Sequence, residues 1–259
     1  MTRAWLLLGI VLFGTALPFS GCRQSSAPDT NGETYFRPNL QTAGQVRGRA
    51  VFTGARTKSH PVNMDGDPQC ERLHDRPVVD EEVALSRLDG EDRLANVFVY
   101  VKSGLEGKVF EPPNDPVVIE QRGCWFGPRV QGIMVGQTFK VINSDPLTHN
   151  IHPLAKINRE WNQSQSPGDA PLTRRFSQPE VMVRIKCNIH HWMHAWVGAV
   201  AHPYFAVTGS NGIFNLTGLP PGSYTIEAWH ERLGRVEHQV TLAEKGHLEL
   251  IFSFMGEEK

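Results

Sequence analysis

Apolar positions along this chain recur mostly at intervals of two over short stretches, and seldom at the intervals of three and four that mark a helix. The run from Val46 to Phe52 alternates in part and stops at Thr53-Gly54. Residues 96–101 and 116–119 are rich in β-branched and aromatic side chains. Residues 137–142 alternate and stop at Asn143-Ser-Asp-Pro146, residues 181–186 alternate and run straight into Cys187, and residues 196–200 form a further apolar run. Such runs, bounded by Gly, Pro, Asn and Asp, predict strands. Residues 81–94 are compatible with one short helix. Residues 147–178 are rich in Asn, Gln, Ser, Pro and Gly, and predict a long surface excursion between two strands, a position where function is often placed. Many short, regularly spaced strands predict an all-β sandwich architecture.

A second unit begins near His202-Pro203. The turn pair Asn211-Gly212 is a strong hairpin signal. It is followed by the run Leu219-Pro-Pro-Gly-Ser-Tyr-Thr-Ile-Glu-Ala228, a turn at Gly234 and two closing strands to Phe254. The folded part therefore divides into residues 45–201 and 202–256. At the other end, Arg3 precedes an apolar run over residues 4–13, too short to span a bilayer but suited to a secretory signal over residues 1–22. Residues 23–44 are polar, broken by Pro28, Asn31, Gly32 and Pro38, and predict a flexible tether. A formal charge of −1 over 259 residues gives no electrostatic reason to expect nucleic acid or an anionic membrane surface as partner.

Two segments hold most of the side chains that could do chemistry: residues 143–152, with His149, Asn150 and His152, and residues 186–194, with Cys187, His190, His191, Trp192, Met193 and His194. A thiolate, imidazoles and a thioether are the donors that select copper over magnesium or calcium. Structural zinc on Cys187, His190, His149 and His152 is the competing assignment. His152, His191 and His194 otherwise read as surface groups, the alternative being a second, weaker copper-loading site, and Trp192, Trp196 and Trp229 read as core or rim aromatics rather than a sugar platform. No nucleophile–base pair is apparent, which favours carriage over catalysis.

The spacing Cys187-x-x-His190-x-x-Met193, with His149 supplied from a distant strand end, resembles the cupredoxin family, and the short loop is most similar to that of amicyanin. The resemblance covers about residues 45–200 and implies a Greek-key β-sandwich with one type 1 copper ion held by His149, Cys187, His190 and Met193. It also implies that Asn150 hydrogen-bonds across to the cysteine loop and that His190 is the ligand nearest solvent. His191 and Trp192 then lie in the rim touched by a redox partner. The wider pattern, from Gly48 through Asn143-Ser-Asp-Pro146 to the tail, resembles a group of bacterial plastocyanin-like proteins that often have histidine where Arg129 stands. Residues 202–256 resemble carboxypeptidase-regulatory-like domains, small Ig- or transthyretin-like sandwiches related to folds classed as carbohydrate-binding. Phe19-Ser-Gly-Cys22 resembles the lipobox of bacterial lipoproteins, which implies acylation of Cys22 and a membrane-anchored protein in the periplasm or at the cell surface. With Cys22 and Cys187 so used, Cys70 and Cys124 are expected to pair in an oxidising compartment, the alternative being two separate buried thiols. The expected function is single-electron transfer between redox partners. A carbohydrate-binding adhesion lipoprotein and a copper chaperone or storage protein are the alternatives.

Overall fold

The computed structural model describes Met1 and residues 34–56 and 59–256; the expected signal segment beyond Met1, Cys22 included, and the first half of the expected tether, residues 23–33, lie outside the described residues. Strands hold 48% of the chain and helix 2%, so the chain is all-β, as the period-two pattern predicts.

Among the described residues the strands form four sheets that close two sandwiches. In the first sandwich, one sheet runs in the order Gln163–Gln165, His149–Pro153, Glu180–Lys186, His194–Val200 and Val130–Met134. It faces a sheet ordered Leu172–Arg174, Phe139–Asn143, Val117–Gln121 and Phe126–Gly127. Ile119, Phe139, Val141, Ile151, Ile185 and Val197 fill the space between them. These are the inward positions of alternating strands; the outward side is mostly polar or exposed, except on His194–Val200, where Trp196 is half-buried and Gly198 buried. In the second sandwich, Gly44–Thr53 pairs antiparallel with Ile213–Leu219 and parallel with His247–Met255. That sheet, completed by Leu85–Leu88 and Glu91–Leu94, covers another in the order Phe205–Val207, Phe98–Ser103, Gly222–His230 and Gly234–Leu242. Val46, Leu94, Val99, Phe214, Ile226 and Phe252 form its core.

The boundary expected between residues 201 and 202 does not divide these units. Gly44–Thr53, Leu85–Leu88, Glu91–Leu94 and Phe98–Ser103 all belong with the C-terminal strands, so residues 117–200 are a sandwich inserted between two halves of the other. Alternation shows which side chains point inward but not which strand lies alongside, and residues 46–52 would suit either core.

Four further expectations are corrected. Residues 81–94 hold no helix: Leu85–Leu88 and Glu91–Leu94 form a hairpin, closed by Asp89 and Gly90, both at positive φ (51° and 77°). Two left-handed residues in succession make the tight turn that an Asp-Gly pair favours. Asn211-Gly212 does make a turn, but the flanking strands enter different sheets, Phe205–Val207 beside Phe98–Ser103 and Ile213–Leu219 beside Gly44–Thr53. The excursion over residues 147–178 contains three strands, one of them central. The tether ends before residue 44, because Phe36 already packs on the Phe110 ring at 5.5 Å and donates its N–H to Val109 O.

The two sandwiches meet through aromatic rings seated on glycine. Gly132 and Gly198 are direct partners in parallel strands. A Cβ on Gly132 would lie 2.3 Å from the Phe205 ring, and one on Gly198 would lie 2.6 Å from the Phe98 ring. Phe98 is fully buried there, and sealing a phenylalanine from water is worth about 2–3 kcal/mol. Gly198→Ala and Gly132→Ala should each lower stability by about 1–3 kcal/mol through overpacking. Urea denaturation would measure the loss, and an unchanged midpoint would contradict this seating.

Candidate metal centre

The sequence Asn143-Ser-Asp-Pro146 ends a strand and builds one wall of the site. Asn143 Nδ2 donates to Leu147 O and Gln165 O at 2.8 and 2.9 Å, while its Oδ1 accepts from Asp145 N. This knot aims the Asp145 carboxylate inward, where it accepts the Gly123 and Cys124 amides at 2.6 and 2.7 Å. Cys124 adopts φ 52°, a left-handed conformation uncommon outside glycine that is found at functional sites. Here it lets successive amides point at one carboxylate. Asp145 Oδ2 also lies 2.8 Å from His149 Nε2.

The Cys187–Met193 loop supplies the opposite wall. Cys187 N donates to Met193 O at 3.1 Å and Met193 N to His190 O at 3.0 Å, which folds the loop into tight turns. Cys187 Sγ accepts from the Asn150 and His190 amides, each at 3.4 Å. Asn150 Oδ1 accepts from Asn188 N at 3.1 Å, tying the histidine strand to the cysteine loop.

The central fact is the relation of the two imidazoles. His149 Nδ1 and His190 Nδ1 are 3.0 Å apart, while the far nitrogen of each faces a carboxylate. His190 Nε2 is 3.1 Å from Asp67 Oδ2. An ionised carboxylate only accepts hydrogen bonds, so each Nε2 carries the proton and each Nδ1 presents a lone pair. Two lone pairs at 3.0 Å require a cation between them, either a proton or a metal ion. Cys187 Sγ completes the triangle, 3.9 Å from His190 Nδ1, with one donor atom from each of the three residues mutually within 4.8 Å. Donors roughly 2.0–2.3 Å from one ion stand about 3–4 Å apart, so the group fits a three-coordinate soft ion. Met193 lies on the same loop and is fully buried.

The electrostatics favour the ligating thiolate at Cys187 and a shared proton at His149, which a metal ion would have to displace. Burial pushes the Cys187 thiol up, but contacts with His149 and the His190 and Asn150 amides outweigh it and hold the thiol below its ordinary value. Burial likewise lowers the His149 imidazole, yet Asp145 and Cys187 together raise it. Burial raises the Asp145 carboxyl, and its bonds to His149, Cys124 and Gly123 more than compensate, keeping it ionised.

Other expected site residues fall elsewhere. His152 pairs with Glu160 at 2.5 Å and approaches Asn188 at 3.3 Å. It is absent from the donor clusters among the described residues, so the set proposed for zinc is not assembled. His190 is 2% exposed rather than the solvent-facing ligand, and Trp192 is 9% exposed rather than in an open rim. The Trp192 indole donates to Cys124 O at 3.1 Å. His191 does stand exposed on the loop. Cys70 and Cys124 are joined in a disulfide. Neither Asp67 nor Asp145 carries a signature of a metal site in the sequence. Asp67-Pro68 carries only a helix N-cap signature, and Asp145 looks like part of a strand-ending turn.

No family model matches this chain and no curated protein does. Solved structures do share part of it. A copper-containing nitrite reductase (NirK) from Thermus scotoductus is 22% identical over 38% of this chain and 24% of its own, with a TM-score of 0.31. A purple cupredoxin from Nitrosopumilus maritimus is 20% identical over 32% of this chain and 98% of its own, with a TM-score of 0.28. A variant of amicyanin, in its Cu(I) form, is 17% identical over 39% of this chain and 97% of its own, with a TM-score of 0.29. The chain thus spans about a quarter of the nitrite reductase.

Beyond Met193 lies a second polar cluster, around His194, which the structure buries although a surface position is expected for it. His194 is 9% exposed, with Nε2 2.5 Å from Arg129 Nη2 and 3.4 Å from Glu231 Oε2. Arg129 Nε reaches Glu231 Oε1 at 2.5 Å, and Trp196 Nε1 donates to Glu231 Oε2 at 3.0 Å. Burial raises the Glu231 carboxyl, but His194, Arg129 and Trp196 bring it down to about 2. A carboxylate depressed from 4.5 stabilises the fold above its unfolded value and loses that contribution as pH falls from about 4.5 towards 2. Glu231→Gln should therefore destabilise more at pH 7 than at pH 3, by a difference on the order of 2 kcal/mol. Equal losses at both pH values in guanidinium titrations would contradict the assignment.

Proposed function

We propose that this protein is an exported copper protein that passes single electrons between redox partners, with His149, Cys187, His190 and Met193 as ligands. The observation that carries this reading is the pair of Nδ1 lone pairs facing each other at 3.0 Å beside the Cys187 sulfur. Two imidazoles, a thiolate and a weak thioether are the type 1 copper donor set. Copper bound there would supply a one-electron Cu(I)/Cu(II) couple. The chain itself contributes rigidity: the ligand strand and loop are cross-braced through Asn150 and Asn188, and burial excludes water. A fixed, dry site needs little rearrangement when its charge changes, which suits a carrier. The exposed part of the loop is Asn188, Ile189 and His191, with Ile189 51% exposed. We take this edge as the docking face for a redox protein.

Copper-loaded protein from about residue 34 onward should show an intense visible absorption from sulfur-to-copper charge transfer. Cys187→Ser should abolish it, Met193→Leu should retain copper but change the reduction potential, and His191→Ala should leave the spectrum nearly intact. Stoichiometric copper without colour would sink the type 1 reading.

The export part of the proposal rests on the short apolar run ending at Ser20-Gly21-Cys22, with acyl chains on Cys22 as the membrane anchor. Cys22→Ser should shift the protein from the membrane to the soluble fraction on cell fractionation. Unchanged processing and membrane association would exclude acylation at Cys22.

A further inference from the structure

We propose that residues 59–80 are a disulfide-anchored arm that seals the metal centre and delivers Asp67 as the positioning residue for His190. The inference rests on reading His149, Cys187 and His190 as metal ligands.

The arm does not come from the sandwich that holds the site. It leaves the other sandwich after strand Gly44–Thr53 and returns to it at Leu85–Leu88. Its two ends are paired, Val62 N with Val78 O and Asp80 N with His60 O, so it projects as a closed loop. Three attachments hold its far end on the site. Cys70 is bonded to Cys124, His74 Nε2 meets Gly123 O at 2.8 Å, and Asp67 Oδ2 meets His190 Nε2. Met64 and Cys70 are buried in the core of the site sandwich. Sulfur atoms of the disulfide lie within 4.8 Å of a His190 nitrogen.

The geometry at Asp67 gives the arm a chemical role as well as a steric one. Asp67 caps the short helix Pro68–Glu71, its Oδ1 accepting from Gln69 N at 2.9 Å. The other oxygen is thereby turned towards His190. The two candidate ligands are thus treated alike: Asp145 holds His149 from within the sandwich, and Asp67 holds His190 from the arm. A carboxylate on the far nitrogen fixes the ring's tautomer and orientation and strengthens the near nitrogen as a donor. With the arm in place His190 is 2% exposed.

Two measurements on the full chain test this, one of them without metal. In the metal-free protein, diethyl pyrocarbonate should modify His190 much more slowly than the exposed His191, read by peptide mass spectrometry. In Cys70→Ser/Cys124→Ser, or after reduction of the disulfide, the His190 rate should rise at least tenfold. In the copper-loaded protein, Asp67→Ala, which keeps the disulfide, should release Cu(II) to a chelator about 10–100-fold faster. Asp67→Asn should recover only part of that loss, because its amide oxygen can still accept from Nε2 but carries no charge; a role in packing alone would give full recovery with this isosteric variant. If His190 labelling is as slow without the disulfide as with it, the arm is not a seal. If Asp67→Ala releases copper at the wild-type rate from a coloured site, Asp67 does not position His190. A wild-type protein that binds no copper would instead remove the metal reading, while the labelling result would still decide whether the arm seals the site.

Discussion

Two imidazole nitrogens held 3.0 Å apart with their lone pairs facing are an arrangement that a folded protein must enforce, because left alone the rings would turn away. The enforcement is visible at the far nitrogens, where Asp145 and Asp67 each fix a ring. Much of the surrounding structure follows from placing those two carboxylates. Asp145 is buried and ionised, which is costly unless its oxygens are satisfied. The Gly123 and Cys124 amides satisfy them, and the left-handed turn at Cys124 brings both amides to bear. The same turn directs Cys124 to its disulfide with Cys70, and so places the arm that carries Asp67.

This chain of dependence explains why the domain arrangement matters to the site. A contiguous sandwich over residues 45–201 would bring the arm from its own framework. Instead the arm springs from a second sandwich whose strands come from both sides of the inserted unit. The glycine-seated contact of Phe98 and Phe205 with Gly132 and Gly198 fixes the two frameworks against each other. Movement between them would act on Asp67, and through it on His190, more directly than on Asp145 and His149.

The sequence made the strands and the local ligand loop legible, because period-two alternation and the Cys187-x-x-His190-x-x-Met193 spacing are short-range properties. What it concealed was long-range. The pairing of residues 44–53 with residues 247–255 leaves no mark in either segment, since each needs only an alternating face. Asp67 is separated from His190 by 123 positions, and its neighbours Pro68 and Gln69 advertise a helix cap alone. The hairpin at Asp89-Gly90 was more accessible. Its turn pair is a strong local signal, but the apolar content of residues 81–94 masked it. Asn211-Gly212 shows the converse: the turn forms, yet tertiary pairing sends its arms to different sheets.

Burial of His190 also bears on the proposed electron transfer, because it changes the route by which an electron would leave the site. Where a ligand's edge meets solvent, a partner can touch it directly. Here the arm occupies that position, and the loop's exposed residues are its neighbours Asn188, Ile189 and His191. The His190 and Trp192 rings are 5.2 Å apart, and the Trp192 and His191 rings are again 5.2 Å apart. A continuous series of π-systems therefore runs from the buried ligand to an exposed imidazole beside an apolar side chain. A partner docked on Ile189 and His191 would be separated from the centre by one packed indole rather than by the arm. The site can thus be closed to water and small ligands while one edge stays within short range of a protein surface. On the proposed reading, the two sandwiches, the disulfide and the Cys187–Met193 loop together would separate access for electrons from access for molecules.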